Sequence, residues 1–408
     1  MIQAWDADGH IYENVNTFSD DYWMDDSLRH RRPEILTSSN GMMWFVIDDT
    51  LFPKRMGPSV HGGGNPASDG VNLSSGQKQK PYDPVETAEF RSAKDRLLQM
   101  DREQIALQVN YPTMFLSHPL SDDPALGMAM ARSYNNWIAD MSSQAADRLK
   151  WVTILEPRSP KESAKEIERT KDMGSAGVML LGTVGNGHID APEMEPIWAA
   201  AAEANLPVAL HVGFSTPALG DMYPHAGEAL CMPFGLSLLM GYQKVFASGV
   251  LDRYPNMRMA FLEAGCDWVN FLNERMEEYS GKPGTRLAMV NSGGGGRGAA
   301  DAPTSTSAVS ALHSWYKSKG LPIDYIRDGR IFFGSEPDEG GMAHFAELYG
   351  NDCLLYASDI PHADRIVNAA ELVENRNDIS EELKRKYLID NVARFYGLTV
   401  PSEVPAGE

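Results

Sequence analysis

"IQAWDADGH", residues 2–10, sets an apolar run directly against two carboxylates and an imidazole on alternate positions: Asp6, Asp8 and His10. Side chains two apart in a strand share a face, so this spacing predicts three polar groups projecting together from the end of a buried strand. A calcium loop is the first rival, and it needs oxygen ligands at positions one, three and five, Gly at six and Glu at twelve. Counted from Asp6, the fifth residue is His10, the sixth Ile11 and the twelfth Thr17, so that reading fails.

Further apolar runs follow at intervals: "IALQVNY" from Ile105, "WVTILE" from Trp151, "GVMLL" from Gly177, "PVALHV" from Pro207, "MRMAFLE" from Met257, "IFFGSE" from Ile331 and "CLLYASD" from Cys353. Amphipathic stretches separate most of them, and Asp123 before Pro124, Ser159 before Pro160 and Asp190 ahead of Pro192 read as helix starts. Eight strands, each followed by a helix, predict an α/β fold of the (β/α)8 TIM-barrel type. Unbroken apolar runs suit strands buried on both faces. One domain is expected over 1–398, with 399–408 as a tail. Two segments interrupt the repeat, about 11–95 and about 280–327. Leaving the C-terminal ends of strands one and six, they are expected to sit over the barrel mouth. The glycine-rich stretch 291–309 is no phosphate loop, because it lacks the Lys-Ser/Thr pair and a preceding strand.

Composition narrows the partners. A net charge of −20 has the wrong sign for neutralising phosphates, which argues against nucleic acid. No run of about 18 apolar residues suggests a membrane span. The start lacks a basic segment followed by an apolar one, and Cys231, Cys266 and Cys353 lie far apart; both point to a reducing cytoplasm. The local exception to the acidity is "RHRRP", whose Arg29, Arg31 and Arg32 are expected to meet an anionic end of a substrate.

Strand ends carry the chemistry. Strand one ends in Asp6, Asp8 and His10, strand five in His211, strand six in Glu263, strand seven in Glu336 and strand eight in Asp359. A barrel gathers all of these at one mouth, where barrel enzymes keep their active sites. Asp8, His10, His211 and Asp359 form a suitable ligand set for zinc, iron or manganese, with Glu263 as a further candidate. So many acids without a cation would raise one another's pKa values, a cost that a dication removes. Asp6, one pleat deeper, is expected to hydrogen-bond a ligand; Glu336 is its counterpart for a possible second ion. His225, fourteen residues beyond His211, is expected to reach substrate. In "SDIPHAD", Pro361 fixes a turn; Asp364 is assigned to capping the next helix and His362 is left open.

Two resemblances follow from these residues. "DADGH" is similar to the DxDGT nucleophile motif of haloacid-dehalogenase-like phosphatases, but His10 stands where Thr would hold phosphate and the repeat is too long for that fold. The stronger resemblance rests on "DADGHIYEN", "RLLQMDREQIALQVNYPT", "LPVALHVG", "YPNMRMAFLEAGCDWV", "SEPDE" and "YASDIPHAD", in order over nearly the whole chain. With these the chain resembles the amidohydrolase superfamily, in the amidohydrolase-2 branch that includes aminocarboxymuconate-semialdehyde decarboxylase. The resemblance implies a barrel with a metal held by Asp8, His10, His211 and Asp359. It departs from the family in Asp8 where many relatives have His or Glu, and in Glu263 where many have His. No lysine closes strand four for a bridged pair of ions, so one ion is expected, with two possible.

Metal-dependent hydrolysis of an acyl substrate, such as an amide, ester, lactone or elongated thioester, is the leading expectation, with Asp359 moving the proton. Non-oxidative decarboxylation of an aromatic or enoic acid is the alternative, using the same ligands. A homo-oligomer, such as a dimer, is expected, acting on a small molecule.

Overall fold

The computed structural model describes residues 3–37, 43–52, 87, 89–223, 225–282, 315–362 and 365–400. Eight parallel strands form one sheet in chain order: β1 (Ala4–Ile11), β2 (Ile105–Pro112), β3 (Leu149–Ile154), β4 (Gly177–Leu181), β5 (Val208–His211), β6 (Met259–Leu262), β7 (Ile331–Ser335) and β8 (Leu354–Tyr356). Each of the eight expected runs is therefore a strand. Nearly every strand residue is buried, as interior strands covered by helices require.

Helices return the chain between strands: α1 (Ala93–Arg102), α2 (Pro124–Ser143), α3 (Pro160–Asp172), α4 (Glu195–Ala204), α5 (Gly235–Ser248), α6 (Asp267–Tyr279), α7 (Met342–Tyr349) and, after β8, α8 (Asn391–Tyr396). Shorter turns lie among them. Asp123 caps α2 as expected, accepting from Ala125 N at 2.9 Å ahead of Pro124. Ser159 stands ahead of Pro160 at the start of α3, as expected, although only its backbone bonds into the helix, whereas Asp190 does not cap the next one. Ser159 has no side-chain bond into α3, and Asp190 pairs with Lys244 at 3.5 Å while Ala191 precedes the turn that opens α4.

The ends of the sheet meet without a full ladder. His10 N donates to Ile360 O at 2.6 Å and Asp359 N to Asp8 O at 3.1 Å, which brings β1 against the segment after β8. A (β/α)8 barrel is thereby closed at the point where two of the expected ligands sit.

The first insertion contains a 3-10 turn, Asp26–Arg31, and a small antiparallel sheet of Glu34–Thr37, Met43–Ile47 and Thr50–Phe52. The second does not leave a strand end. It follows α6, and its return is tied to the end of α5 by Lys317 N to Ala247 O and Ser318 N to Phe246 O. Helices run opposite to strands, so these described flanks lie on the face away from the mouth, and residues 283–314 between them fall outside the described residues. The stretches 53–86 and 291–309 and the tail beyond Val400 fall outside the described residues.

Candidate metal centre

The geometry of "DADGH" is not a regular strand. Asp6 pairs with Gln108 and Gly9 with Asn110, so three steps on β1 match two on β2 and a bulge falls at Ala7–Asp8. The expected common face is broken there. Asp6 holds the bulge: its carboxylate accepts from Asp8 N (3.2 Å), from Ser358 N (2.9 Å) and Oγ, and from Gln108 Nε2 (2.7 Å). Burial raises its pKa, and these donors act against that rise. Asp6 is thus committed to bracing β1 against β2 and the segment after β8. Gly9 lets Gln108 reach it, since a Cβ there would lie 2.7 Å from Gln108 Cγ and 2.5 Å from Cδ.

Beyond the bulge, donors converge. His10 Nε2 lies 3.4 Å from Asp8 Oδ1, 3.5 Å from Glu263 Oε2 and 3.7 Å from Asp359 Oδ1. His211 Nε2 lies 3.4 Å from Asp8 Oδ1 and 3.3 Å from Glu263 Oε2. Asp8, His10, His211 and Glu263 place one donor atom each within 4.8 Å of one another, and so do His10, Glu263, Asp359 and His362. The far nitrogen of each imidazole is occupied. His10 Nδ1 meets Pro112 O and His211 Nδ1 meets Val212 O, both at 2.9 Å, so both Nδ1 atoms carry hydrogen and both Nε2 lone pairs face the centre.

Asp8 Oδ1, His10 Nε2, His211 Nε2 and Glu263 Oε2 are all buried without a hydrogen-bond partner. Leaving such atoms unsatisfied is costly, whereas a divalent cation ligated by all of them removes the penalty. Electrostatics agree. Burial opposes charge on both imidazoles, yet Asp8 and Glu263 around both, with Asp359 beside His10, hold their pKa values above the ordinary range. Burial works likewise against the Asp8 carboxylate, but His211 and His10 depress it well below its usual value. The cluster attracts positive charge, and mixed nitrogen and oxygen donors fit zinc, iron or manganese.

Two of the converging carboxylates sit on strained backbone. Glu263 (φ 64°) and Asp359 (φ 54°) occupy the left-handed region, which non-glycine residues visit at a cost and which concentrates at functional sites. Each directly follows or closely follows its strand, and the turn directs its carboxylate back over the barrel axis.

His362 joins the group. Its Nδ1 is 2.6 Å from Asp359 Oδ1 and its Nε2 3.0 Å from Thr113 Oγ1, which donates to Ile11 O at 2.8 Å. Thr113 has one hydroxyl hydrogen, given to Ile11, so it accepts from His362. The Asp-x-x-His spacing around Pro361 was the available signal for this residue. Tyr111 packs beneath, its ring centroid 6.0 Å from that of His10 and 5.7 Å from that of His211.

Beside the centre lies a cavity of about 620 Å³, lined by Glu263 and Glu336 and by apolar groups including Val212, Phe234, Leu236 and Trp268. Burial, then the Asp359 and Glu263 carboxylates, push Glu336 up to about 8. Its neighbour Glu339 is structural, accepting from Cys266 N (2.7 Å) and Asp267 N (3.2 Å) at the start of α6.

Other expected site residues lie apart. His225 is exposed, in a groove with Met222 and Tyr223 that shares Cys231 and Met232 with the cavity beside the centre, and is not gathered with the donors. The arginines are spent on acids: Arg29 on Asp20 and Asp26, Arg31 on Asp48 (2.7 Å) and Asp123 (2.5 Å), Arg32 on Asp20 (2.6 Å). They do not form an open anion cluster.

The family model described as Amidohydrolase matches residues 117–398, which include His211, Glu263 and Asp359. The decarboxylase orsB of Emericella nidulans is 26% identical over 293 residues, 65% of this chain and 81% of that protein. The amidohydrolase map2389c of Mycobacterium avium subsp. paratuberculosis superposes with TM-score 0.73 at 19% identity, covering 98% of this chain and 99% of the other. The 5-carboxyvanillate decarboxylase LigW2 of Novosphingobium aromaticivorans, solved with manganese and a hydroxy-methoxy-nitrobenzoic acid, gives TM-score 0.67 at 15% identity, covering 97% of each chain. At such identities the two structures establish the shared barrel. No helix among the described residues is long and apolar enough to cross a membrane.

Proposed function

Because the chain belongs to the amidohydrolase family, we propose that its donor cluster holds a single divalent cation and catalyses non-oxidative decarboxylation of a hydroxylated aromatic acid. The observation that carries this choice over hydrolysis is the relative over most of the chain, itself a decarboxylase. The same metal-centred barrel in an aromatic-acid decarboxylase supports it. The reading replaces acyl hydrolysis, the leading expectation from sequence, with its alternative.

Asp8, His10, His211 and Glu263 would hold the cation, with Asp359 at its open side. His10 has one Nε2 lone pair and belongs to both donor groups, which favours one ion over two. When bound, the cation supplies a Lewis-acid anchor for a carboxylate and an adjacent hydroxyl. The apolar wall of Val212, Phe234 and Trp268 suits an aromatic ring.

The reaction needs one proton for the ring carbon that loses its carboxylate. Asp359 would deliver it, and the contact of its carboxyl with His362, which Thr113 anchors in turn, supports that role. As the carbon–hydrogen bond forms, the carbon–carboxylate bond breaks and its electron pair remains with the ring. Carbon dioxide departs, and the balance is one proton consumed per carbon dioxide released.

The test is turnover of metal-loaded protein with ortho-hydroxybenzoic acids and, in parallel, acyl esters, lactones and thioesters. The reaction is run in deuterium oxide and followed by NMR. Deuterium at the vacated ring carbon supports the proposal. Cleavage of an acyl substrate with every aromatic acid untouched overturns it.

A further inference from the structure

The far end of the chain reaches into this centre. Tyr396, the last residue of α8, donates its hydroxyl hydrogen to Ala7 O at 2.7 Å. Ala7 lies in the bulge, and its carbonyl belongs to the peptide unit that leads directly into Asp8. Tyr111 OH sits 2.7 Å from Tyr396 OH. A hydroxyl has one hydrogen, and Tyr396 has given its own to Ala7, so Tyr111 is the donor of this second bond. The ring of Tyr111 packs against both His10 and His211. Both tyrosines are buried, at 0% and 6% exposure.

The chain Tyr111–Tyr396–Ala7 therefore connects the support beneath two imidazoles to the peptide that presents the first carboxylate. The other anchors of the bulge are Asp6 on Asp8 N and Asp359 N on Asp8 O. The tyrosine link reaches it from a helix, whereas these other anchors come from β1 itself and from the segment after β8. Bulges bend and twist a strand, so the direction of Asp8 depends on how this peptide is held.

We propose that Tyr396 is a positioning residue for the metal centre, fixing the Ala7–Asp8 peptide so that Asp8, His10, His211 and Glu263 converge on one divalent cation. The inference rests on that cluster holding the cation and is independent of which reaction follows. Partners that orient metal ligands typically alter affinity by about 10–100-fold when removed.

The experiment titrates manganese(II) into chelator-stripped full-length protein, with the free ion followed by electron paramagnetic resonance and the metal-free midpoint measured separately. Wild type is expected to bind one ion, and Tyr396→Phe, which keeps the ring, to bind it about 10–100-fold more weakly. Tyr111→Phe removes only the donor to Tyr396 and is expected to weaken binding several-fold. Tyr242→Phe is the control. It loses a comparable buried bond, to Asn273 Oδ1 at 2.6 Å, which involves no residue of the cluster, and its affinity is expected within about twofold of wild type.

Wild type binding no stoichiometric ion overturns the premise, and the proposal with it. Wild type binding one ion, with Tyr396→Phe within about twofold of it, overturns the proposal alone. So does an equal loss in Tyr242→Phe, which would assign the effect to general destabilisation. Should Tyr396→Phe fail to fold, an unaltered affinity in Tyr111→Phe has the same consequence.

Discussion

Gly9→Ala places one methyl group of β1 against the Gln108 side chain of β2. Gly9 is absent from the residues with positive φ, so alanine meets no backbone penalty there. With free space, the substitution would stabilise the fold by about 0.4–1 kcal/mol through the unfolded chain. Space is what the site lacks. The new Cβ would approach Gln108 at Cγ (2.7 Å), Cδ (2.5 Å) and, closer still, Nε2, so the whole side chain must move and not only its tip. Gln108 then loses its bond to Asp6 (2.7 Å) and the one it accepts from Arg96 (3.1 Å), both with charged partners. Buried bonds of that kind contribute about 1.5–3 kcal/mol each. Asp6 retains Ser358 and Arg96 retains His10 O, so the expected net loss is about 3–5 kcal/mol. With about 2.1 cal/mol/K of unfolding entropy per residue, a chain of 408 residues loses roughly 4–6 °C in midpoint. Scanning calorimetry of the metal-free protein reads it directly. Gln108→Ala should cost a similar amount, and the double variant little more than either single, because all three remove the same bonds. A midpoint for Gly9→Ala at or above wild type would refute the reasoning.

Other consequences are more local. His362→Ala should lower kcat about 10–100-fold by releasing Asp359, with metal content by elemental analysis unchanged; loss of metal in step with activity would contradict that role. Arg365 and Glu103 form a buried pair at 2.6 Å beside the Asp359 loop. Arg365→Met leaves a buried charge and should cost about 3–5 kcal/mol, whereas Arg365→Met with Glu103→Met should recover much of it in denaturant titration. Burial raises Glu156, but Arg158 and His118 outweigh it and bring its carboxyl from 4.5 to about 2. Its contribution is thus fully present above pH 4.5 and fades as pH falls towards 2, on the order of 3 kcal/mol in all. Glu156→Gln should flatten that part of the acid-unfolding curve, and an unchanged slope would exclude the assignment. Stripping the metal should abolish turnover and lower the midpoint, and both should return on adding manganese.

The barrel was legible because each strand is a compact apolar run stopped by a polar residue, and β1 to β8 follow those runs closely. His211, Glu263 and Asp359 were legible for the same reason: a strand end fixes position along the barrel axis. Register was not legible. The Ala7–Asp8 bulge depends on what β2 presents opposite, and no local pattern in "DADGH" encodes Gln108 reaching past Gly9. Charge partners from afar were equally hidden, so Arg31 read as open until Asp48 and Asp123 were brought to it. His225 differs again, since the turn and helix after β5 put it in a groove beside the donor cluster and not among the donors. Tyr396 carries no polar neighbour in sequence that hints at its reach.

Closure between β1 and the segment after β8 also has a meaning in time. At about 5–20 residues per second, a ribosome that has released His10 needs roughly 20–70 s more to deliver Asp359. Through that interval the nascent chain displays Asp8 and His10 as an open pair, without Ser358, Ile360 or Tyr396 to fix them. Durable ion capture is therefore a late event in the life of each molecule. The cellular supply of the ion must be matched to finished chains, not to chains in synthesis.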